Sequence, residues 1–257
     1  MSPDDLLRHL ATAPVVDEPV AVVAAHPDDE TLGLGSRFSH LGRLTLIHVT
    51  DGSPFDRTDA QRAGLPTREA YAAVRRQELA AALAAAGATP DRVLAYDIPD
   101  QTAVHRLAEL TGRLTADLAG MAAVVTHPYE GGHPDHDACA FAVQAACARL
   151  GQTAPVRLEF AGYHLGPNGP ASGRFYERDG IACHAHADDE ARKAAALAAF
   201  VTQQAVIAPF AKGPERLRLA PAYDFARPPS PGRGLYDLYG WPLNTTTWCE
   251  IAAQVAA

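Results

Sequence analysis

The sequence predicts an α/β fold with a mostly parallel sheet and helices on both of its faces. Short apolar runs without polar alternation, typical of strands covered on both faces, alternate with longer helical stretches. The length of 257 residues suits one domain of this class. We therefore expect a single Rossmann-like domain over residues 1–257, ending in a wrap rich in proline and aromatic residues.

Five apolar runs are the expected strands, at 19–25, 44–50, 93–96, 122–126 and 156–160. The first run stops at His26-Pro27 and the second at Asp51-Gly52, which are breaks that end buried strands. Ligands of doubly wound sheets collect beyond the carboxyl ends of the strands. We therefore expect the functional residues directly after these runs.

Helical composition predicts helices at 68–86, 104–118, 137–150 and 187–206. Gly87 and Gly151 stand where C-terminal caps belong. We expect a flexible loop at 166–173. The aromatic-rich stretch at 209–242 should be an ordered wrap, because disordered segments are poor in aromatic residues. A last helix is expected to begin at Thr247, whose spacing to Glu250 fits a capping box.

Charge and composition exclude several classes of partner. The net charge is -8, and no cluster of lysine and arginine forms a basic stripe, so nucleic acid and anionic membrane surfaces are not expected. No run approaches the roughly 18 apolar residues of a membrane span, and the N-terminus does not have the pattern of a signal peptide. The four cysteines form no C-x-x-C pair, which favours reduced thiols in a cytoplasmic protein.

Two short motifs carry the chemistry. Residues 25–30 read Ala-His-Pro-Asp-Asp-Glu after the first strand, and residues 131–137 read Gly-Gly-His-Pro-Asp-His-Asp beyond the fourth. Each motif puts potential metal ligands three residues apart at a strand-to-helix junction, where one helical turn directs them the same way. Two imidazoles and one carboxylate from these segments match the three protein ligands of a hydrolytic zinc, with a fourth position left for water.

Amide hydrolysis also needs a group that is not a ligand. A base must take the proton of the attacking water, and two adjacent aspartates can divide the tasks of metal binding and proton removal. A further imidazole, that of His133, could stabilise the oxyanion or deliver a proton to the leaving amine. The residues present therefore suffice for hydrolysis of an acyl amide.

At these motifs the sequence resembles the PIG-L/LmbE-like family of zinc-dependent N-acetylglucosaminyl deacetylases. The family motifs A-H-P-D-D-E and H-P-D-H are matched in full at 25–30 and 133–136. The arginine and glutamate of the stretch 75–79 are similar to the family's R-x-x-E helix, and 193–204 is similar to a later family helix, with Thr202 in place of its serine. The recognisable core runs from about 19 to 205, and 206–257 is an extension that we cannot map.

The resemblance implies roles for the residues of both motifs. His26, Asp29 and His136 would bind one zinc ion, Asp28 would be the general base, and His133 would assist as acid or oxyanion stabiliser. Other divalent metals, such as iron(II), cobalt or nickel, would tolerate the same ligands.

Structural alternatives exist for each motif. His-Pro can simply end a strand, and Asp28 or Asp29 can cap a helix; two motifs at neighbouring strand ends outweigh that interpretation. Asp135 is expected to orient an imidazole, and Glu30 to open a helix. Residues 184–190 imitate a metal motif, but helix capping explains their aspartates.

Several further residues have two interpretations each. Asp51 could accept a sugar hydroxyl or form a plain turn, and Arg75 could contact substrate or pair within its helix. His127 and Tyr129 are expected near the mouth of the site, contacting substrate or packing. Residues 33–35 read Gly-Leu-Gly, but Phe38 occupies the place of the third glycine of a dinucleotide loop, so we expect no NAD site.

The leading hypothesis is a cytoplasmic metal-dependent N-deacetylase acting on a small N-acetylated amino sugar or glycoconjugate. A hydrolase of another acyl bond, and a sugar- or nucleotide-binding module with a non-catalytic metal, are the alternatives. A binding module has no need of Asp28 beside Asp29. The sequence does not fix the oligomeric state, and a homo-oligomer is compatible with it.

Overall fold

The computed structural model describes residues 1–177, 179–211, 213–229 and 231–256. The strands are β1 Val20–Ala24, β2 Leu44–Pro54, β3 Arg92–Asp100, β4 Ala123–Thr126, β5 Val156–Phe160, β6 Tyr163–Gly166, β7 Gly169–Ser172, β8 Ile181–Ala182 and β9 Arg216–Leu219. The α-helices are α1 Pro3–Thr12, α2 Asp29–Leu34, α3 Thr58–Arg62, α4 Arg68–Ala85, α5 Leu107–Asp117, α6 Pro134–Leu150, α7 Ala187–Ala199, α8 Gln204–Ile207, α9 Leu235–Leu238 and α10 Thr245–Ala256. Short 3-10 helices lie at Gly35–His40, Ala103–Arg106, Gly151–Thr153 and Val201–Gln203.

Seven of the strands form one sheet in the order β3-β2-β1-β4-β5-β9-β8, and β6 with β7 forms a separate hairpin. The first five strands in that order pair in parallel, and β9 and β8 are added antiparallel at one edge. The predicted α/β class with a mostly parallel sheet is confirmed. Because Val23 pairs with both Ile47 and Thr126, the carboxyl ends of β1 and β4 lie level with each other.

The sheet separates two apolar cores, and β1 contributes to both. Ala21 and Val23 face the core shared with α5, α6 and α10, whereas Val20 and Val22 face the core shared with α1, α4 and α7. All five residues of β1 are buried. Burial on both faces explains why the strand reads as an unbroken apolar run.

The hairpin at 163–172 replaces the flexible loop expected at 166–173. The helix expected at 187–206 is also interrupted, because Phe200 is fully buried in the core and takes a non-helical conformation. Beyond it, the backbone N–H and the hydroxyl of Thr202 both donate to the Glu78 carboxylate, at 2.7 Å each. These contacts hold the turn that separates α7 from α8.

Two helix starts differ from the predicted ones. Helix α6 begins at Pro134 rather than 137, because Nδ1 of His133 accepts a hydrogen bond from the Asp135 amide at 3.2 Å and caps the helix. Helix α10 begins at Thr245, and Asn244 Oδ1 accepts from the Thr247 amide at 2.9 Å. The capping box predicted at Thr247 is therefore wrong.

Helix α1 and the antiparallel strands β8 and β9 are not among the elements that the sequence predicts. The third predicted strand ends at Tyr96, although β3 continues through irregular pairing to Asp100. The last four residues of β3 matter because they reach the sheet edge where the motifs lie. Among the described helices, none is both long and apolar enough to cross a bilayer.

Candidate metal centre

The first motif occupies the turn from β1 into α2. Asp29 is the first residue of the helix, and its Oδ2 atom accepts from the His26 amide at 2.9 Å and lies 3.0 Å from His26 Nδ1. Asp28 precedes the helix with a φ of 134°. Positive φ is uncommon outside glycine and costs about 1–3 kcal/mol, which is a strain found mostly at functional sites.

The second motif occupies the turn from β4 into α6 and meets the first. Nε2 of His136 lies 3.2 Å from Asp29 Oδ2, and the ring centroids of His26 and His136 are 5.5 Å apart. Both imidazoles and the carboxylate between them are buried. The structure therefore brings His26, Asp29 and His136 together, although Asp29 and His136 are 107 positions apart in the chain.

Two of the distances among these three side chains suit a small divalent cation. Neighbouring donor atoms around a tetrahedral zinc with bonds of about 2.0 Å lie roughly 3.3 Å apart. Asp29 Oδ2 lies 3.0 Å from His26 Nδ1 and 3.2 Å from His136 Nε2, which is close to that value. Within the described residues, Nε2 of His136 has no hydrogen-bond partner, although it is buried. A buried imidazole nitrogen without a hydrogen-bond partner suits a metal ligand.

Three overlapping groups of side chains have donor atoms close enough to hold one ion. They are His26 with His133 and His136; His26 with Asp100, His133 and Asp135; and Asp29 with His127 and His136. The predicted ligands, His26, Asp29 and His136, do not all belong to any one of these groups. Their assignment as the ligand set stays a prediction.

Asp100 is the site residue that the sequence analysis missed. Its Oδ1 atom lies 3.0 Å from His26 Nε2 and 3.7 Å from His133 Nε2. The available signal was its position, since it ends a strand of the same parallel sheet. The predicted strand ends at Tyr96, four residues short of Asp100, so the sequence does not place Asp100 at the sheet edge.

Asp135 has the surroundings expected of an orienting residue. Its carboxylate accepts from the amides of Gln101, at 2.6 Å, and Ala103, at 3.0 Å, and lies 3.3 Å from His26 Nε2. These contacts connect the loop after β3 to the first motif. Asp135 thus holds both the loop and the His26 ring.

Charge in the centre is concentrated on buried carboxylates. Burial raises the pKa of Asp29, but the imidazoles of His136, His127 and His26 outweigh it and bring the pKa well below its usual range. Burial likewise raises the pKa of Asp100, but His26 outweighs it, and the net shift is downward. Burial lowers the pKa of His26, yet Asp100 and Asp29 raise it well above its ordinary value. The carboxylates therefore favour a cation at this position.

Arg75 holds Asp28 rather than facing the site. Its Nη2 atom donates to Asp28 Oδ2 at 3.1 Å and to the Pro27 carbonyl at 2.6 Å, and Nη1 donates to the Gly52 carbonyl at 2.9 Å. Burial raises the pKa of Asp28 to about 8, against the opposing charge of Arg75. Arg75 is itself buried, so these contacts give it a positioning role and lend no support to the predicted substrate contact.

His133 is a neutral hydrogen-bond donor in this arrangement. Burial, followed by the nearby His26, holds its pKa well below the ordinary value. Because Nδ1 accepts from the Asp135 amide, the tautomer assigned from these contacts carries its proton on Nε2. The ring also packs edge-to-face with that of Trp241, at 4.9 Å between centroids. Of the two predicted roles, these contacts favour oxyanion stabilisation.

Two predicted substrate contacts are otherwise occupied. The Asp51 carboxylate pairs with Arg68 and accepts from the Ser53 amide, as a turn residue does. The hydroxyl of Tyr129 donates to the Arg227 carbonyl at 2.9 Å. Its ring packs against three aromatic side chains of the C-terminal extension, residues 206–257, namely Tyr223, Phe225 and Trp248. These contacts favour the packing interpretation of Tyr129, and its contact with substrate stays a prediction.

His127 lies against the centre, where its ring stacks on one of the motif imidazoles. Nε2 accepts from the Ala25 amide at 3.0 Å, and the ring stacks on that of His136 at 3.8 Å. Glu30 is structural, as expected, since its carboxylate accepts from the Asp28 amide and lies 3.0 Å from His48 Nε2. Both residues therefore fix the backbone and rings on which the motifs depend.

The imitation motif at 184–190 has a capping role. Asp189 Oδ2 accepts from the His186 amide at 2.9 Å at the start of α7. No metal-capable group within the described ranges includes any of these residues. Helix capping therefore explains residues 184–190 better than metal binding does.

The paired glycines before His133 allow two segments to close over the centre. A Cβ atom on Gly132 would lie 2.0 Å from the Tyr163 carbonyl oxygen, and one on Gly131 would lie 2.8 Å from the Gly234 Cα. Only glycine permits these approaches. The second motif therefore contacts both the β6-β7 hairpin and the C-terminal extension directly.

Gly132→Ala is expected to destabilise the protein, because the new Cβ meets backbone rather than a movable side chain. Overpacking of this kind costs about 1–3 kcal/mol. Gly112→Ala is the matched control, since no described atom lies within 4 Å of its Cβ position and alanine favours helix α5 by about 0.5–1 kcal/mol. Thermal unfolding measures both variants. Equal Tm values for the two would contradict the close approach at Gly132.

Comparison with known proteins gives a family-model match over part of the chain and a shared fold. The family model described as "PIG-L: GlcNAc-PI de-N-acetylase" matches residues 21–147, which include both motifs. A search of curated protein sequences returns no match.

Solved structures with a similar fold include three deacetylases. The pseudoaglycone deacetylase of the antimicrobial reagent A40926 has 18% identity and a TM-score of 0.58, covering 81% of this chain and 100% of its own. The zinc-inhibited form of teicoplanin deacetylase has 13% identity and a TM-score of 0.54, covering 80% and 100%. The N,N'-diacetylchitobiose deacetylase of Pyrococcus horikoshii has 17% identity and a TM-score of 0.54, covering 84% and 89%. At these identities the likeness establishes the fold.

Proposed function

We propose, on the premise that residues 21–147 belong to the PIG-L family, that this protein is a metal-dependent hydrolase that removes an N-acetyl group from an amino sugar or glycoconjugate. One observation carries the proposal. The Asp29 carboxylate lies between His26 and His136, while its neighbour Asp28 is held separately by Arg75. Metal binding and proton removal thus fall to two adjacent carboxylates.

His26, Asp29 and His136 would hold the metal, and we propose zinc. Two imidazoles and one carboxylate are a ligand set of catalytic zinc sites, and a zinc-inhibited relative supports a divalent metal in this fold. When bound, zinc lowers the pKa of water and polarises the acyl carbonyl. Asp100 and Asp135 contact His26 from the opposite side of its ring and orient it.

The chain's own residues move the proton and stabilise charge. The Asp28 carboxylate takes a proton from the attacking water, and Arg75 keeps that carboxylate in place. The Nε2–H group of His133 donates to the carbonyl oxygen as negative charge develops there. The protonated Asp28 is then placed to return its proton to the leaving amine. The products are the free amine and acetate.

An acetylated sugar is the proposed substrate class. The family description names a de-N-acetylase of GlcNAc-PI, and one structural relative is named for N,N'-diacetylchitobiose. The cytoplasmic location, the single-domain organisation and the oligomeric state stay predictions.

Removal of the metal is expected to abolish activity. Protein treated with a chelator and then dialysed should release no acetate from N-acetylglucosamine or N,N'-diacetylchitobiose, and about one equivalent of zinc should restore release. A parallel sample exposed to chelator already saturated with zinc controls for damage by the treatment. Full acetate release by protein shown to be metal-free would refute the proposal.

A further inference from the structure

A small cavity adjoins the candidate metal centre on the side of β5. Its volume is about 20 Å³, and Asp29, His127 and His136 form one wall of it. This volume accommodates roughly one water-sized group. A methyl group is of comparable size, whereas a sugar ring is far larger.

Aromatic side chains form the walls next to these polar residues. Phe160 is fully buried, and the rings of Tyr163 and Phe210 stack at 4.4 Å between centroids. The Tyr163 ring also lies 4.9 Å from that of His136. A Cβ atom on Gly33 would lie 2.2 Å from the Phe160 ring, so glycine is needed for this ring to line the cavity.

Lys193 and Glu215, which also line the cavity, already have partners. Lys193 Nζ lies 2.6 Å from Glu215 Oε1 and donates to the Leu32 carbonyl at 2.8 Å. Glu215 Oε1 also accepts from the Ser36 amide at 3.0 Å. Among the described residues, these pairs occupy the charged groups of this wall, and the aromatic walls suit an alkyl group.

We propose that this cavity receives the alkyl end of the substrate's acyl group and that the Tyr163–Phe210 stack limits the acyl chain to about two carbons. The inference rests on the proposed function, because it takes the attacked carbonyl to lie beside Asp28 and Asp29. From that position the acyl substituent can enter the apolar cavity while the sugar stays on the side of Asp100. Phe210 is thereby a specificity-determining residue.

The expected selectivity follows from the size of the cavity. One methylene group too many in an apolar pocket changes kcat/KM by roughly 10–200-fold. N-Acetylglucosamine should therefore be hydrolysed at least about tenfold better than N-butyrylglucosamine, and N-hexanoylglucosamine should be a still poorer substrate. Phe210→Ala removes one ring of the stack and should reduce the acetyl-to-butyryl ratio by at least about tenfold.

The experiment measures kcat/KM for these three substrates with zinc-loaded wild-type protein, Phe210→Ala and Phe210→Leu. Val201→Ala is the matched control. Val201 is exposed, lies in the same stretch of chain after α7 as Phe210, and does not line the cavity. Calorimetric titration of the same proteins with acetate and butyrate gives a second readout that needs no turnover. Wild-type protein should bind acetate more tightly than butyrate, and Phe210→Ala should narrow that difference.

The outcomes separate this inference from the proposed function. No hydrolysis of any of the three amides by zinc-loaded protein would overturn the deacetylase proposal, and the titrations would still test the cavity. Hydrolysis with the same acetyl-to-butyryl ratio in wild-type protein and Phe210→Ala would overturn the cavity's role alone. Equal binding of acetate and butyrate by wild-type protein would overturn it as well.

Discussion

Asp28→Asn is expected to lower kcat for acetate release by about 10²–10⁴-fold while the protein keeps its metal. The amide has nearly the size of the carboxylate but cannot take a proton from water. Its oxygen can still accept a hydrogen bond from Arg75 Nη2, which lies 3.1 Å from Asp28 Oδ2 in the wild-type protein. The change therefore removes the base and leaves its surroundings in place.

Stability should change little in the same variant. Burial raises the pKa of Asp28 in the metal-free protein, so burying a neutral amide of nearly the same size should cost little more than burying the carboxyl group. The Tm of the metal-free variant should therefore be close to that of the wild type. A measured loss of turnover then reports on the reaction and not on unfolding.

Asp188→Asn is the matched control for Asp28→Asn. Asp188 stands in the second Asp-Asp-Glu sequence of the chain, at residues 188–190, where it is exposed at the start of α7. We expect wild-type turnover and metal content from this variant. Wild-type turnover by Asp28→Asn itself would show that another group takes the proton, and Asp100 would be the next residue to test.

The sequence predicts that the two motifs meet because the signals for this are local. Apolar runs that end at His26 and before His127 mark the ends of β1 and β4, and parallel pairing of these strands brings the motifs level. The resemblance to the deacetylase family is confirmed by the family match over 21–147. The individual roles of the site residues stay predictions.

The features that were missed depend on contacts between distant segments. Nothing near Arg75 indicates that its guanidinium reaches Asp28, 47 positions away. Asp100 follows a stretch of irregular strand pairing that contains Asp97, with its φ of 55°, and local pattern could not extend the strand through it. Phe200 interrupts a helix because the core buries it, although alanine-rich composition favours helix on its N-terminal side. At each of these positions, contacts between distant segments determine the local structure.

His136→Ala is expected to lose both metal and activity. A single ligand contributes more than the outer-shell partners of metal sites, whose loss typically weakens binding by 10–100-fold, so we expect metal affinity to fall by at least about 100-fold. Metal content after dialysis, measured by mass spectrometry, checks the prediction. His184→Ala is the control, because this exposed histidine belongs to the imitation motif and should leave metal content at the wild-type level.

Two companion variants decide between the overlapping ligand groups around His136 and His26. Asp29→Asn should lose metal, because its carboxylate lies 3.0 Å from His26 Nδ1 and 3.2 Å from His136 Nε2. Asp100→Asn should retain metal, because its carboxylate faces the other nitrogen of His26, Nε2, at 3.0 Å. The reverse result would move the ion to the side of Asp100 and His133. Asp29 would then orient His26, and the base beside the metal would have to be sought away from Asp28.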